Sequence, residues 1–223
     1  MDDLSQKIVL VTGAGRGAGR AVAEAFAARG ATVAANDISP INLDVVAENA
    51  ATSGGRIKTY VGDVAKKVAV QSLINQVTDD WGRIDALVNS AAVEPASPLL
   101  DMDEWDWHRV LDVNLTGAFL MLQSAGRVMR QQGGGIIVNL VPLAGRESLP
   151  DRGAYLASKM GLVALTRQAA LELGAFGIRV HAVGTGLESV ATVPAVEMDV
   201  AAAVLSLCCG DSAHLNGQII NIA

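Results

Sequence analysis

Short apolar, β-branched runs alternate with longer segments of helical periodicity along the whole chain. The runs predict strands at Ile8–Thr12, Thr32–Asn36, Ile57–Val61, Ala86–Asn89, Gly135–Leu140, Ile178–Val183 and Gln218–Ile222. Between them, the spacing predicts helices over Arg16–Arg29, Leu43–Ser53, Lys66–Trp81, Met102–Gln131, Gly153–Phe176 and Asp199–Cys208. Such alternation predicts an α/β fold, a doubly wound sheet of about seven parallel strands with helices on both faces, three layers in all. No Pro-, Ser- or charge-rich linker interrupts it, which predicts a single domain over residues 1–223. The second half of Met102–Gln131 and all of Gly153–Phe176 are rich in Ala, Gly, Leu and Met. Such faces let helices approach closely, and they suit a subunit interface or an intrachain core equally.

Composition narrows the class of function. The 223 residues are 51% apolar and 18% charged, which supports a packed core and excludes a disordered chain. A net charge of -6, with no basic run longer than Lys66-Lys67, argues against nucleic-acid and anionic-membrane surfaces. Met1 to Lys7 is polar and leads straight into a strand, so no secretory signal is expected, and no apolar stretch is long enough to span a bilayer. A cytoplasmic protein is the expectation. Cys208 and Cys209 are adjacent, a spacing poor for a disulfide and useless for zinc without further ligands. They are expected to be a buried, reduced pair, and no metal site is expected.

The first chemical motif is Thr12-Gly13-Ala14-Gly15-Arg16-Gly17-Ala18-Gly19, between the first strand and the first helix. Glycines there permit positive φ and remove Cβ atoms, so backbone and helix N-terminus can approach a pyrophosphate. Asp37 follows at the end of the second strand, where an acidic side chain accepts hydrogen bonds from an adenosine ribose. It would repel a 2′-phosphate, which favours NAD over NADP; Arg16 is the residue that argues the other way.

These features resemble the short-chain dehydrogenase/reductase family, a Rossmann-type family, and the resemblance runs from about Lys7 to Ile222. The family's glycine motif is matched by Thr12, Gly13, Gly17 and Gly19. Asp63-Val64 stand where the family's adenine contact lies. Asn89-Ser90-Ala91-Ala92 matches its Asn-Asn-Ala-Gly turn with Ala92 in place of the glycine, which implies cofactor contacts at Asn89 and Ala91. Asn114 matches the helix asparagine that orders a proton-relay water. Tyr155 and Lys159 lie four apart on a helix and share a face, so the ammonium is expected to lower the phenol's pKa. The resemblance makes Tyr155 the general acid or base and gives Lys159 the nicotinamide ribose as well.

Four departures cluster at the substrate end. Pro142 stands where the family carries a serine hydroxyl, and proline offers neither hydroxyl nor N–H. Thr185-Gly186 replaces a Pro-Gly turn, Val190 replaces a threonine, and the substrate lid is cut to residues 187–198. A short lid implies a more open, wetter cleft. Thr185, Ser148 and Ser90 are candidate replacement hydroxyls. Two readings follow. One is an NAD(H)-dependent oxidoreductase interconverting a secondary alcohol and a ketone through Tyr155, Lys159 and Asn114. The other is a non-catalytic homologue, a dinucleotide-binding structural or regulatory subunit of a hetero-oligomeric dehydrogenase. In either case the resemblance implies assembly with copies of itself or related subunits, as a tetramer.

Overall fold

The computed structural model describes residues 4–142, 150–185, 194–209 and 215–222. Seven strands form one parallel sheet in the order β3-β2-β1-β4-β5-β6-β7. They are β1 (Ile8–Thr12), β2 (Thr32–Asp37), β3 (Arg56–Val61), β4 (Ala86–Asn89), β5 (Gly135–Pro142), β6 (Ile178–Thr185) and β7 (Ile219–Asn221). The helices are α1 (Gly17–Ala28), α2 (Pro40–Ser53), α3 (Lys67–Trp81), α4 (Glu104–Leu111), α5 (Ala118–Gln131), α6 (Gly153–Leu173) and α7 (Pro194–Cys208).

Strand alternation explains the two-sided burial. In β1, Val9 and Val11 face a core shared with Val22 and Phe26 of α1, Leu43 of α2 and Val204 of α7. Ile8 and Leu10 face the other way, onto Val77 of α3, Met121 and Met129 of α5 and Ala169 of α6. A strand apolar on both faces is what a doubly covered parallel sheet requires. Phe26 is fully buried, and truncating such a ring to alanine costs about 3–5 kcal/mol.

Three elements differ from expectation. The helix expected over Met102–Gln131 is interrupted by a π turn, Asp112–Gly117, which joins α4 to α5. The helix expected from Asp199 begins at Pro194, so residues 194–198 of the expected lid are the opening of α7; residues 186–193 lie outside the described residues. Proline suits such a first turn, where an N–H has no helical partner. Finally, Cys208 and Cys209 are thiols as expected but only partly buried, and burial pushes the Cys208 thiol up to about 12.

One polar side chain has no place in the expected pattern. His181 on β6 is fully buried, and neither ring nitrogen finds a partner among the described residues. Burial, followed by the Arg179 charge, lowers its pKa to about 4, so it is neutral at pH 7. No described helix is long and apolar enough to cross a membrane.

Candidate active site

β1 hydrogen-bonds to β2 on one side and to β4 on the other, so successive connections run in opposite directions from this point. The strand ends therefore part there and leave a crevice. A cavity of about 380 Å³ fills it, bounded by the glycine turn after β1, the ends of β2 to β5, and Tyr155 and Lys159 of α6.

On the β1–β3 side, close approach dictates the residues. Gly13 has φ 63°, and a Cβ there would stand 2.7 Å from the Ala91 backbone; a Cβ on Gly19 would stand 2.2 Å from the Gly13 carbonyl oxygen. Gly13, Arg16 and Gly17 line the cavity, with Arg16 exposed. Asp37 lines it too, its carboxylate fixed by the N–H groups of Gly15 (3.0 Å) and Ser39 (2.9 Å). Asp63 accepts from Ala65 N–H (2.9 Å) and from Arg109 Nη1 (3.3 Å), and Val64 is beside it on the wall. Asn36 donates to the Tyr60 and Gly62 carbonyls, which leaves its buried Oδ1 without a partner among the described residues.

Thr12 and Asn89 lie beneath the cavity rather than on its wall. Thr12 Oγ1 accepts from Ser90 N–H (3.1 Å) and Ala91 N–H (3.3 Å), and Asn89 donates to Asn139 Oδ1 (2.9 Å). They shape the two turns, as Gly19 does by its packing. The cradle that a Cβ would fill, the fixed acid at the end of β2 and the orphaned Asn36 oxygen together suit a dinucleotide.

The other side is built from α6, the π turn and the segment after β4. Lys159 is buried, and its Nζ donates to the Leu140 carbonyl (2.9 Å) at 5.9 Å from the centre of the Tyr155 ring. Burial lowers the Lys159 pKa to about 8, against an opposing pull from Glu94. Tyr155 differs from expectation: burial first, then the Glu94 charge, pushes the phenol above its ordinary range, with Arg152 opposing. The physical reason is that the ammonium points its bond at Leu140 while the ring loses its water.

Asn114 is buried within the π turn, behind the cavity. It accepts from Val93 N–H (2.8 Å) and donates to Val93 O (2.9 Å) and Ser158 Oγ (3.1 Å); Ser158 in turn donates to the Tyr155 carbonyl (2.6 Å). A π turn widens the helix by one residue, which aims its side chains off the regular face and onto this junction.

Three residues were not singled out from sequence. Glu94 lines the cavity, its pKa raised by burial in spite of Arg152, Lys159 and Arg16, and its buried Oε2 has no partner among the described residues. Arg152 donates to the Glu94 carbonyl and so fixes that segment to α6. Glu197 lines the cavity from α7, with Oε1 3.7 Å from where a Cβ on Gly17 would be. Its signal was Pro194, a helix-opening residue. Of the candidate hydroxyls, Ser90 Oγ would be 2.9 Å from a Cβ on Gly19, so it sits under the glycine turn. Pro142 and Thr185 pair through their backbones at the ends of β5 and β6; their side chains, Ser148 and Val190 lie outside what is described. No cluster of three or more metal-ligating side chains occurs among the described residues.

Residues 7–200 match the short chain dehydrogenase family. The chain is 39% identical over 180 residues to a D-threitol dehydrogenase of Mycolicibacterium smegmatis, covering 81% of this chain and 69% of that one. The fold superposes on a short chain dehydrogenase from Mycobacterium smegmatis with TM-score 0.92 at 34% identity, covering 100% of this chain and 94% of the other. It superposes on an NAD+-bound xylitol dehydrogenase with TM-score 0.90 at 31% identity, covering 100% and 99%. With sheet order, glycine cradle and site geometry all in agreement, the chain belongs to the short-chain dehydrogenase/reductase family and is a nicotinamide-dinucleotide-dependent oxidoreductase of alcohols and ketones.

Proposed function

We propose that this chain interconverts a secondary alcohol and a ketone, and that it uses NAD(H) in preference to NADP(H). The observation that carries the reading is a single cavity that joins the glycine turn after β1 to Tyr155 and Lys159. When bound, the dinucleotide would supply the hydride acceptor or donor. Gly13, Arg16, Gly17 and the α1 N-terminus would hold the pyrophosphate, Asp37 the adenosine ribose, Asp63 and Val64 the adenine, and Ala91 and Lys159 the nicotinamide half. Thr12, Gly19 and Asn89 keep the two turns in shape.

Tyr155 gives its proton to the substrate oxygen in reduction and takes it back in oxidation. Its phenol makes no hydrogen bond among the described residues, so it is available to substrate. Asn114 and Ser158 hold the helix turn that carries it. Asp37 supports NAD because its carboxylate would meet a 2′-phosphate with like charge. The substrate is read as a polyhydroxylated secondary alcohol, following the sugar alcohols named for the two similar dehydrogenases.

The test is a fluorescence titration of NADH and NADPH, with D-threitol and xylitol oxidation assayed in wild type and Tyr155→Phe. NADH should bind at least about tenfold tighter, and the Phe variant should lose about 10²–10⁴-fold in kcat. Tighter NADPH binding would sink the cofactor preference, and equal turnover by the Phe variant would sink the role of Tyr155.

For the assembly, we infer a tetramer of this chain, alone or with a related subunit, closed through α5 and α6, where Phe119, Leu171 and, in the turn that follows α6, Phe176 expose apolar surface. Sedimentation of wild type against Leu171→Asp tests it. The thiols Cys208 and Cys209 fit a reducing, cytoplasmic setting.

A further inference from the structure

Glu94 is the one carboxyl among the described residues that shares the substrate end of the cavity with Tyr155 and Lys159. Its position is fixed from both sides. Asn114 bonds both the N–H and the carbonyl of Val93, the preceding residue, and Arg152 donates to the carbonyl of Glu94 itself. A flexible loop would let a carboxylate swing out to water, whereas this backbone is anchored to both the π turn and α6.

Its surroundings disfavour the charge. Oε2 is shut off from solvent and has no partner among the described residues. A buried carboxylate oxygen without a hydrogen bond is expensive, and protonation relieves it. The groups facing it are Tyr155 and Lys159 from α6, Arg152 just before that helix and Arg16 from the glycine turn; burial outweighs the three cations and raises its pKa. A carboxyl that carries its proton is a hydrogen-bond donor.

Lys159 donates to Leu140 O, and Ser90, which also lines the cavity, holds its Oγ against the glycine turn beside Gly19. Pro142 carries no hydroxyl. We propose that Glu94, in its protonated form, donates a hydrogen bond to the reacting oxygen of the substrate and forms with the Tyr155 phenol a two-donor site for developing negative charge. This rests on the alcohol–ketone reading above. In reduction the hydride reaches the carbonyl carbon and the Tyr155 proton reaches the oxygen, which yields the alcohol and a tyrosinate that solvent reprotonates. Glu94 keeps its proton throughout and contributes only through its hydrogen bond.

The experiment uses the full chain with xylitol and D-threitol in oxidation and their ketose products in reduction. Wild type, Glu94→Ala and Glu94→Gln are compared for kcat, KM and pH profile, with NADH affinity and Tm as controls for folding. Glu94→Ala should lose about 10²-fold in kcat with NADH affinity within twofold of wild type. Glu94→Gln, which keeps a donor that cannot ionise, should lose less than about tenfold. Glu94→Gln should lack the part of the alkaline loss of reduction that Glu94 ionisation adds, and should keep the part set by Lys159, whose pKa is about 8. A Glu94→Ala variant that raises KM alone, or that matches wild type, overturns the donor role and leaves the oxidoreductase reading standing. A Glu94→Gln pH profile that matches the wild-type profile throughout also overturns it. Absence of turnover in wild type overturns both, and the two failures are therefore told apart.

Discussion

The two ends of the cavity solve the same problem, polar groups at a strand terminus, in opposite ways. At the β1–β3 end the charged groups are satisfied: Asp37 by two backbone N–H groups, Asp63 by a backbone N–H and Arg109. At the β4–α6 end they are starved: Lys159 has one carbonyl, and Glu94 Oε2 and the Tyr155 phenol have no partner among the described residues. The first arrangement is stable and receives a ligand by shape. The second stores unfavourable burial that a reacting substrate can relieve, as expected where pKa values are shifted for chemistry. Stability and activity should therefore fall together on mutation at the first end and move in opposite directions at the second.

The sharpest break is Lys159→Met. Turnover should fall at least about 10²-fold, because an ammonium at the reacting end is lost. Stability should move the other way. The folded pKa, about 8, lies below the ordinary 10.5, so wild type gains stability as pH rises between them and lacks that gain at pH 7. Thermal unfolding at pH 7 and pH 9.5 should show a higher Tm for the variant at pH 7 and a smaller difference at pH 9.5. A lower Tm at pH 7 would mean that the ammonium is well satisfied.

Gly19→Ala addresses the other end, where both properties should fall together. The new methyl would meet the Gly13 carbonyl oxygen, so the turn or α1 must shift, at about 1–3 kcal/mol, with NADH affinity lost alongside. Urea unfolding and NADH titration check it; unchanged affinity would show that the turn does not shape the site.

Away from the cavity, His181 provides a control for buried polarity without function. Its folded pKa is about 4 against 6.5, so the stability it contributes is present above pH 6.5 and lost as pH falls through 4. His181→Leu should flatten acid unfolding over that window by up to roughly 3 kcal/mol and leave kcat unchanged at pH 7. The smallest effect is expected from Glu197→Gln. Removing a carboxylate beside Gly17 should tighten NADH about 3–10-fold at low salt, and less at high salt.

The same contrast decides what could be read from sequence. Gly13 and Gly19 are legible because a close backbone approach tolerates only one residue type, Gly17 because its φ of 58° favours glycine, and the strands because burial on both faces leaves continuous apolar runs. Tyr155 and Lys159 are legible only as a spacing, since their titration depends on burial created by distant segments. Glu94 is invisible for that reason: an acid after Val93 reads as an ordinary loop residue until Asn114 and Arg152 are seen to pin it. The π turn is equally silent, because Asp112–Gly117 has no composition that separates it from the helix on either side. Residues 194–198 read as lid in the sequence because the apolar pattern begins only after Asp199, while Pro194 opens the helix through backbone geometry alone.

That π turn also makes chain length itself a functional variable. Each residue of an α-helix turns the chain by about 100°, and a π turn holds one residue more than regular winding accepts. Deleting Thr116 would let α4 and α5 fuse into an unbroken helix with good local geometry, while rotating everything before the deletion by about a quarter turn. Asn114 would then leave Val93 and Ser158 although no bond in the helix ladder had been lost. The segment is thus a register lock: a substitution disturbs one contact at a time, whereas a single-codon deletion moves them all.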